Sequence, residues 1–355
     1  MEGSKQYFAC KRCVYDYPEI PDLVLNEEGI CNYCLEWQKR EEERQVEATN
    51  LPWRLDAIRR DGKGKKYDVI FGLSGGVDSS YALHIALQHG LRPLCFGYDD
   101  GFNDPRADEN TMKMVEKLKV PYERKSYGID EMKGIRAALI KSGVKNLEAG
   151  YDHVLWAMTY KIAREHGIKH VINGGNHATE GLMHTIYGHD AKDIRFLKYV
   201  YKKFQGEEIK ELPTLTLPGY IYNRFIKGIM IFQILNYVDY SRKKAVETLK
   251  KEYNWEDYYE KHRENYFTAW HIDFWLFDRF GLRKDKAHYS SMINNGEMTR
   301  SEALAKLALS PVYPMLGIEE MARRVELQEL DYLAYPNNKL WWDFLQKIYG
   351  SLKGR

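Results

Sequence analysis

The sharpest chemical motif in the sequence is a glycine turn, Ser-Gly-Gly-Val-Asp-Ser, at residues 74–79. It directly follows an apolar run that predicts a strand over 67–73, and it opens an amphipathic run that predicts a helix over 79–89. Two adjacent glycines let the backbone approach a ligand closely, and the N–H groups of a helix start converge there with the positive end of the helix dipole. The turn therefore predicts a phosphate-binding loop made of Ser74, Gly75, Gly76, Val77, Asp78 and Ser79.

Asp78 is the only acidic side chain of this loop. Phosphate would repel its carboxylate unless a cation lay between them, so we assign Asp78 to Mg²⁺ and treat it as a candidate catalytic residue. The spacing matches neither the Walker A loop nor the dinucleotide-binding G-x-G-x-x-G motif. Ser, Gly and Asp are also ordinary turn and helix-capping residues, which leaves a purely structural turn as the alternative.

Four of the five cysteines lie near the N-terminus in two C-x-x-C pairs. Two such pairs can turn their thiolates inward and complete a tetrahedral Zn²⁺ shell with no position for water, so the site would be structural. The segment that contains them, residues 1–45, is too short to bury enough apolar surface to fold without such a metal. The alternatives are free cysteines, two disulfides or an iron–sulfur cluster. The predicted zinc ligands are Cys10, Cys13, Cys31 and Cys34.

Two further groups of polar residues follow predicted strands, where the carboxyl ends of parallel strands meet and ligands of open α/β sheets bind. Asp99, together with Asp100 and Asn103, follows the second strand and is predicted to line a nucleotide pocket, although a plain turn explains the same residues. Another strand is followed by Asn173, Gly174, Gly175 and then His177. His177 is a candidate proton acceptor, or else a hydrogen-bonded loop residue.

A late cluster of positive charge contains Arg283 and Lys284, followed closely by Lys286 and His288. Such a cluster is suited to a pyrophosphate or a sugar-nucleotide diphosphate, and we predict that Arg283 and Lys284 bind one. A solvated charged surface is the alternative, because most charge runs have no other role.

The predicted strands and helices determine whether these motifs can meet at one site. Short β-branched runs alternate with helical periods from residue 67 to about 173, which predicts an α/β fold with a doubly wound parallel sheet. The predicted domains are a zinc ribbon at 1–45, a helix and linker at 46–66, an ATP-binding domain at 67–185 and a mainly helical region at 186–355. The last region is expected to serve substrate or partner binding.

Composition narrows the class of protein. The 355 residues are 44% hydrophobic and 29% charged, as in globular proteins, and the net charge of +2 makes nucleic acid an improbable partner. The longest apolar stretch, 228–238, is too short to cross a bilayer, and the N-terminus has no apolar export signal. We therefore expect a cytoplasmic protein without membrane spans. The aromatic-rich stretch after Trp255 predicts aromatic packing and no further function.

The glycine turn after a strand resembles the pyrophosphate-binding loop (PP-loop) of the N-type ATP pyrophosphatases. The whole chain resembles the N-acetyl-sugar amidotransferases of bacterial surface-polysaccharide and flagellin-sugar biosynthesis. The resemblance implies an adenine nucleotide α-hydrolase-like fold, with ATP and Mg²⁺ as cofactors. The segments that carry it are CKRCVYDYPEIPDLVLNEEGICNYC, GLSGGVDSSYAL, YDDGFND, INGGNHATE and FGLRKDKAHYSSMINNGEMTRSEAL.

The resemblance also implies a reaction. ATP adenylates the acetamido carbonyl oxygen of an N-acetyl amino sugar, and ammonia then replaces that oxygen to give an acetamidino sugar, AMP and pyrophosphate. Lipopolysaccharide O-antigen would be the destination. A glutaminase needs a nucleophilic cysteine, and outside the ribbon only Cys95 is left, inside the apolar run PLCFGY. We therefore predict a separate class I glutaminase subunit as the source of ammonia.

Two other functions are compatible with parts of the sequence. Some tRNA sulfur transferases (thiolases) also join a cysteine ribbon to a PP-loop, but the near-neutral charge and the lack of further thiols disfavour this reading. A non-enzymatic zinc-ribbon adaptor would leave the 74–79 turn unexplained. Neither the amino sugar nor the carrier to which it is attached follows from the sequence.

Overall fold

A computed structural model describes residues 7–188, 191–258, 260–309 and 318–327. An N-terminal ribbon contains the short antiparallel strands β1 (Phe8–Ala9) and β2 (Asp16–Tyr17). The body contains a five-stranded parallel sheet with the strand order β5-β4-β3-β6-β7. Its strands are β3 (Val69–Gly72), β4 (Pro93–Tyr98), β5 (Tyr122–Lys125), β6 (His170–Ile172) and β7 (Met230–Phe232).

Helices cover both faces of this sheet. The first half of the chain contributes α1 (Asn32–Ala48), α2 (Leu51–Asp61), α3 (Val77–Gln88), α4 (Pro105–Leu118), α5 (Ile129–Ser142), α6 (Ala149–Glu165) and α7 (His177–Glu180). The second half contributes α8 (Ile194–Gln205), α9 (Leu217–Ile221), α10 (Arg242–Tyr253), α11 (Tyr266–Trp270), α12 (Leu276–Phe280), α13 (Asp285–Asn294), α14 (Arg300–Ala308) and α15 (Ile318–Arg324).

Successive side chains of the short strands point alternately into two hydrophobic cores. In β3, Val69 and Phe71 pack with side chains of α2, α3 and α10, whereas Ile70 packs with α5, α6 and α8 on the opposite face. Both faces are therefore apolar, which explains why the strands read as continuous hydrophobic runs. The predicted doubly wound sheet is confirmed.

The fifth strand, β7, comes from the region expected to be mainly helical. It lies inside the apolar stretch 228–238 and pairs in parallel with β6 at the sheet edge. Periodicity alone does not separate a buried strand from a buried helix in an apolar run of this length, and here the first part of the run pairs with the sheet. The rest of the described C-terminal region is helical, as predicted. Within the described ranges, no helix combines the length and hydrophobicity that a membrane crossing needs.

The ribbon brings its four cysteines together in a buried cluster. The four Sγ atoms lie within 4.8 Å of one another, and no other group of three or more His, Cys, Asp or Glu ligands occurs in the described residues. Backbone N–H groups of Arg12 and Cys31 each lie 3.3 Å from the Cys10 sulfur, and Asn294 donates to the Cys34 sulfur at 3.2 Å. Such N–H donors stabilise thiolates, so this donor set suits a metal ion.

The ribbon packs on the C-terminal helices. The ammonium group of Lys286, on α13, lies 2.8 Å from the carboxylate of Asp16 and 2.6 Å from that of Glu19. Arg300 donates to the carbonyl oxygens of Cys10 and Cys13 at 3.2 and 3.0 Å. These bonds tie the N-terminal ribbon to α13 and α14.

A buried polar network lies behind the carboxyl ends of the strands. Arg136 is 1% exposed and lies 2.5 Å from the Asp100 carboxylate, with its guanidinium between the rings of Phe102 and Phe267 at 4.3 and 4.2 Å. Asp100 in turn accepts a hydrogen bond of 3.1 Å from the Asn265 amide. The network therefore connects the sheet to the segment that precedes α11.

Glu148, close to this network, gives a prediction about pH and stability. Burial raises its pKa to about 7, and Thr268 donates to one of its oxygens at 2.9 Å. Between the unfolded pKa near 4.5 and about 7, the folded state holds more protons than the unfolded state. The free energy of unfolding should fall as pH rises through this window, by about 1 kcal/mol or more.

Glu148→Gln keeps an acceptor for Thr268 and cannot ionise. Urea unfolding should show the variant more stable than the wild type at pH 8 and indistinguishable from it at pH 4.5. Equal stability of the two proteins at both pH values would contradict the assigned pKa.

Candidate functional site

A cavity of about 440 Å³ opens at the carboxyl ends of the central strands. Its walls include the 74–79 loop, Asp99 after β4, and the Asn173-Gly174-Gly175 turn after β6. The parallel arrangement of β3, β4 and β6 places these turns at one edge. The structure therefore brings together the loop and part of each strand-end group, whereas Asp100 pairs with Arg136 and, like His177, is not in the cavity lining.

Glycines of the 74–79 loop permit close packing of backbone on backbone. Gly75 has φ +79°, and a Cβ there would lie 2.2 Å from the carbonyl oxygen of Ala107. Its own carbonyl accepts a 3.1 Å hydrogen bond from the indole of Trp255. Gly76 caps the N-terminus of α3 in an extended conformation. The loop thus directs the start of α3 toward the cavity, as an anion-binding turn requires.

The serine hydroxyls of the loop bond to each other and to the loop backbone. Ser74 Oγ and Ser79 Oγ lie 3.0 Å apart, Ser79 Oγ accepts from the backbone N–H of Ser74 at 3.2 Å, and Ser74 Oγ accepts from the N–H of Gly76 at 3.3 Å. These bonds hold the turn in shape before any ligand binds.

The turn after β6 lies directly against this loop. A Cβ on Gly174 would lie 2.6 Å from the backbone nitrogen of Ser79, and one on Gly175 would lie 2.3 Å from the Gln233 amide nitrogen. Position 174 therefore requires glycine or a displacement of the loop backbone, whereas a side chain at position 175 would displace the Gln233 amide. The side chain of Asn176 caps α7 by accepting from the backbone N–H of Thr179 at 2.9 Å.

The Asp78 carboxylate forms the electrostatic centre of the site. One oxygen lies 2.7 Å from the ammonium nitrogen of Lys261, and the other accepts a hydrogen bond from the Tyr240 hydroxyl. Lys261 also lies 2.8 Å from the Glu180 carboxylate and donates to the Thr179 hydroxyl at 2.6 Å. The lysine ammonium occupies the cationic position that the sequence assigned to Mg²⁺.

Burial by itself would lower the pKa of Lys261, but the carboxylates of Asp78 and Glu180 outweigh it and raise the pKa. Burial opposes the ionised form of Glu180 as well, yet Lys261 and His262 hold its pKa well below the usual range. Lys261 is therefore protonated and Glu180 is ionised at neutral pH.

Mg²⁺ commonly binds proteins through one or two carboxylates together with substrate phosphates. Asp78 belongs to the glycine loop and lines the cavity, so its carboxylate offers such a ligand beside the expected phosphate position. The residues present therefore fit a phosphate-bound Mg²⁺.

Sequence reasoning missed the segment 260–265, which forms one wall of the cavity. Glu260, Lys261, His262, Glu264 and Asn265 all line it. The segment is held beside β4 because backbone hydrogen bonds join it to residues 102–104. The available signal was a run of six polar residues, EKHREN, inside an aromatic-rich stretch interpreted only as packing.

His177 lies outside the cavity. Its ring stacks on Trp37 with the ring centroids 4.6 Å apart, and its Nε2 lies 3.3 Å from the Trp37 carbonyl oxygen. The backbone N–H of His177 donates to Asn236 at 2.7 Å. The histidine thus joins the ribbon helix α1 to the body of the protein, and its catalytic role receives no support from this position.

The late basic cluster also lies apart from the cavity lining. The guanidinium of Arg283 donates to the Leu307 carbonyl at 3.1 Å, Lys284 caps α13, and Lys286 pairs with the ribbon carboxylates. His288 is buried, with Nδ1 3.1 Å from the Thr179 carbonyl oxygen. The positive charge stabilises the packing of α13, and phosphate binding by Arg283 and Lys284 stays a sequence-based prediction.

Two family models match the chain. Residues 58–225 match the NAD synthase model, and residues 264–349 match the model described as "LPS biosynthesis protein WbpG-like, C-terminal domain". The first match contains the 74–79 loop, and the second begins inside the 260–265 segment. The chain matches no curated protein sequence.

Solved structures with partial similarity include an NMN synthetase from Francisella tularensis, with 16% identity, coverage of 60% of this chain and 93% of that chain, and a TM-score of 0.31. An NH3-dependent NAD synthetase from Campylobacter jejuni has 17% identity, coverage of 61% and 93%, and a TM-score of 0.29. A predicted subunit of tRNA methyltransferase from Methanocaldococcus jannaschii has 16% identity, coverage of 61% and 90%, and a TM-score of 0.32. We draw no conclusion about function from similarity at this level.

The two family matches agree with the architecture, in which a glycine loop lies at the edge of a parallel sheet and a helical C-terminal part follows. The chain thus combines a region similar to NAD synthase, which contains the PP-loop, with a region similar to the WbpG-like C-terminal domain, and this combination is consistent with a PP-loop ATP pyrophosphatase family of LPS biosynthesis.

Proposed function

We propose that this chain is an ATP-dependent, AMP-forming amidotransferase acting on an N-acetyl amino sugar. It adenylates the acetamido carbonyl oxygen and replaces that oxygen with ammonia, which gives an acetamidino sugar, AMP and pyrophosphate. The observation that carries the proposal is the meeting of the glycine loop, the Asp78 carboxylate and the Lys261 ammonium in one cavity.

The 74–79 loop would hold the phosphates that leave. Its helix start offers backbone N–H donors, and Gly75 and Gly174 let the loop pack closely against neighbouring backbone in this position. Asp78 would hold Mg²⁺, which neutralises phosphate charge when bound. Asp99 and Asn173 line the same cavity and would contact the nucleotide or the sugar.

Lys261 would stabilise charge at the phosphorus that is attacked. Its ammonium group lies beside the loop, paired with the Asp78 carboxylate that would hold Mg²⁺. A preorganised cation in a largely buried position stabilises developing negative charge better than a solvated one does. Attack by the carbonyl oxygen on the α-phosphorus then yields an adenylated imidate, from which AMP leaves readily.

Ammonia would come from a separate class I glutaminase subunit. At neutral pH most free ammonia is protonated, and the chain offers no thiol suited to releasing it from glutamine. Burial raises the pKa of Cys95 to about 12, and the other four cysteines form the ribbon cluster. The same shortage of thiols disfavours a tRNA sulfur transferase. We further propose that the enzyme acts in the cytoplasm, in O-antigen biosynthesis.

The main prediction concerns the products. With ATP, Mg²⁺, ammonium chloride and a panel of nucleotide-linked and free N-acetyl amino sugars, one sugar should give equimolar AMP and pyrophosphate. Mass spectrometry should show a product in which NH replaces O. Glutamine should replace ammonium only after a glutaminase is added. ADP in place of AMP, or turnover of tRNA and no sugar, would refute the proposal.

Lys261→Ala should lower kcat for AMP formation about 100-fold or more, since a preorganised charge beside the reacting phosphate is lost. Lys244→Ala is a matched control, because Lys244 pairs with Asp239 at 3.0 Å on the surface, outside the cavity lining. Steady-state assays of both variants test the role. Wild-type kcat in Lys261→Ala would exclude it.

We also propose that the ribbon holds structural Zn²⁺. Elemental analysis should find one zinc per chain, and Cys34→Ser or a strong chelator should remove it and lower Tm. Cys95→Ala should keep the zinc, because its thiol lies in β4 away from the cluster. Iron with acid-labile sulfide would show an iron–sulfur cluster instead.

A further inference from the structure

His262 has an unusual backbone conformation in the wall of the cavity. Four non-glycine residues have positive φ angles in the described part of the chain, and His262, at φ 60°, is one of them. Lys119 and Asn254 are C-caps of α4 and α10, and Glu326 follows α15. Only His262 adopts this conformation away from a helix end. A conformation that costs free energy persists where the surroundings impose it, and such residues cluster at functional sites.

Its two neighbours explain how the conformation is imposed. Lys261 is held by Asp78 and Glu180, whereas Arg263, 2% exposed, lies 2.5 Å from Asp273 and also pairs with Asp285. These consecutive cations are anchored in different parts of the protein. The left-handed turn at His262 reconciles the two anchors and leaves the imidazole between them, in the cavity wall.

The imidazole lies close to side chains of two other elements. Its Nε2 lies 3.6 Å from the Glu180 carboxylate of α7, and its ring centroid lies 5.1 Å from that of His288 on α13. Its Nδ1 makes no hydrogen bond with any described residue. Nε2 therefore faces a carboxylate beyond hydrogen-bond distance, and Nδ1 is the ring nitrogen available to accept a proton.

The geometry points to His262 as the residue that accepts the proton lost by ammonia in the second half of the reaction. This inference rests on the proposed function. The nitrogen lone pair of NH3 forms a C–N bond to the activated carbon, and the C–O bond to AMP breaks with its electron pair on the phosphate oxygen. One proton moves from the incoming nitrogen to Nδ1 of His262, and Glu180 stabilises the imidazolium. Solvent then takes the proton.

Other candidates fit this role less well. Glu180 is engaged by Lys261 at 2.8 Å, and its carboxylate is strongly held in the ionised form, so it is a weak base. His177 stacks against Trp37 outside the cavity. His288 is buried behind His262 and is kept neutral, because burial places its pKa well below the usual range.

The test separates the two half-reactions. Sugar-dependent exchange of labelled pyrophosphate into ATP, without ammonia, reports adenylation, whereas acetamidino product reports amination. His262→Asn removes the imidazole and suits the backbone, because Asn tolerates the left-handed conformation. His166→Gln is the matched control, since His166 lies at the exposed C-terminal end of α6.

We expect His262→Asn to keep pyrophosphate exchange within a few-fold of the wild type while amination falls about 100-fold. Added imidazole should restore part of the amination. Glu180, Lys261, His288 and Asp152 are the titratable groups that face or influence His262.

Wild-type amination in His262→Asn would overturn the inference. Equal losses of exchange and amination would also overturn it, because His262 would then act in binding or adenylation. Absence of sugar-dependent exchange in the wild type itself would instead contradict the proposed function. The two failures are therefore distinguishable.

Discussion

The ion pair between Lys261 and Asp78 is the interaction on which the site depends. It joins the loop that begins α3 to a segment more than 180 residues later in the chain, at an N–O distance of 2.7 Å. A lysine in a largely buried position needs compensating charge, and Asp78 and Glu180 supply it. The pair therefore closes the C-terminal part over the sheet edge, and it keeps a cation beside the loop where phosphate charge is expected to develop.

Other buried contacts hold this arrangement in place. The indole of Trp255 donates to the Gly75 carbonyl oxygen beneath the loop. The Asn265 amide donates to the Asp100 carboxylate, which forms an ion pair with Arg136. Residues 260–265 are thus anchored at both sides, and the left-handed turn at His262 follows from anchoring Lys261 and Arg263 in different directions. The aromatic-rich stretch is more than packing, because it supports the polar wall of the cavity.

The ribbon and α13 show how similar charges can serve different roles. Lys286 and Arg283 look suited to an anionic ligand in the sequence, yet Lys286 binds carboxylates of the ribbon and Arg283 donates to the Leu307 carbonyl oxygen. His177 likewise contacts the ribbon helix through Trp37. A charge run in a sequence gives the chemistry of the side chains without their partners, so ligand binding and docking within the chain give the same pattern.

The sequence by itself determined the sheet, the glycine loop and the cysteine cluster, because each depends on local patterns: apolar runs between turns, adjacent glycines before a helix, and paired C-x-x-C spacing. It also indicated that the turns at 99 and 173–175 share one edge, since parallel strands end on the same side. Only the tertiary structure identified Lys261, Glu180 and His262, and the role of β7 in the sheet. These assignments depend on contacts between residues far apart in the chain, and a single sequence contains no periodicity or spacing that records such contacts.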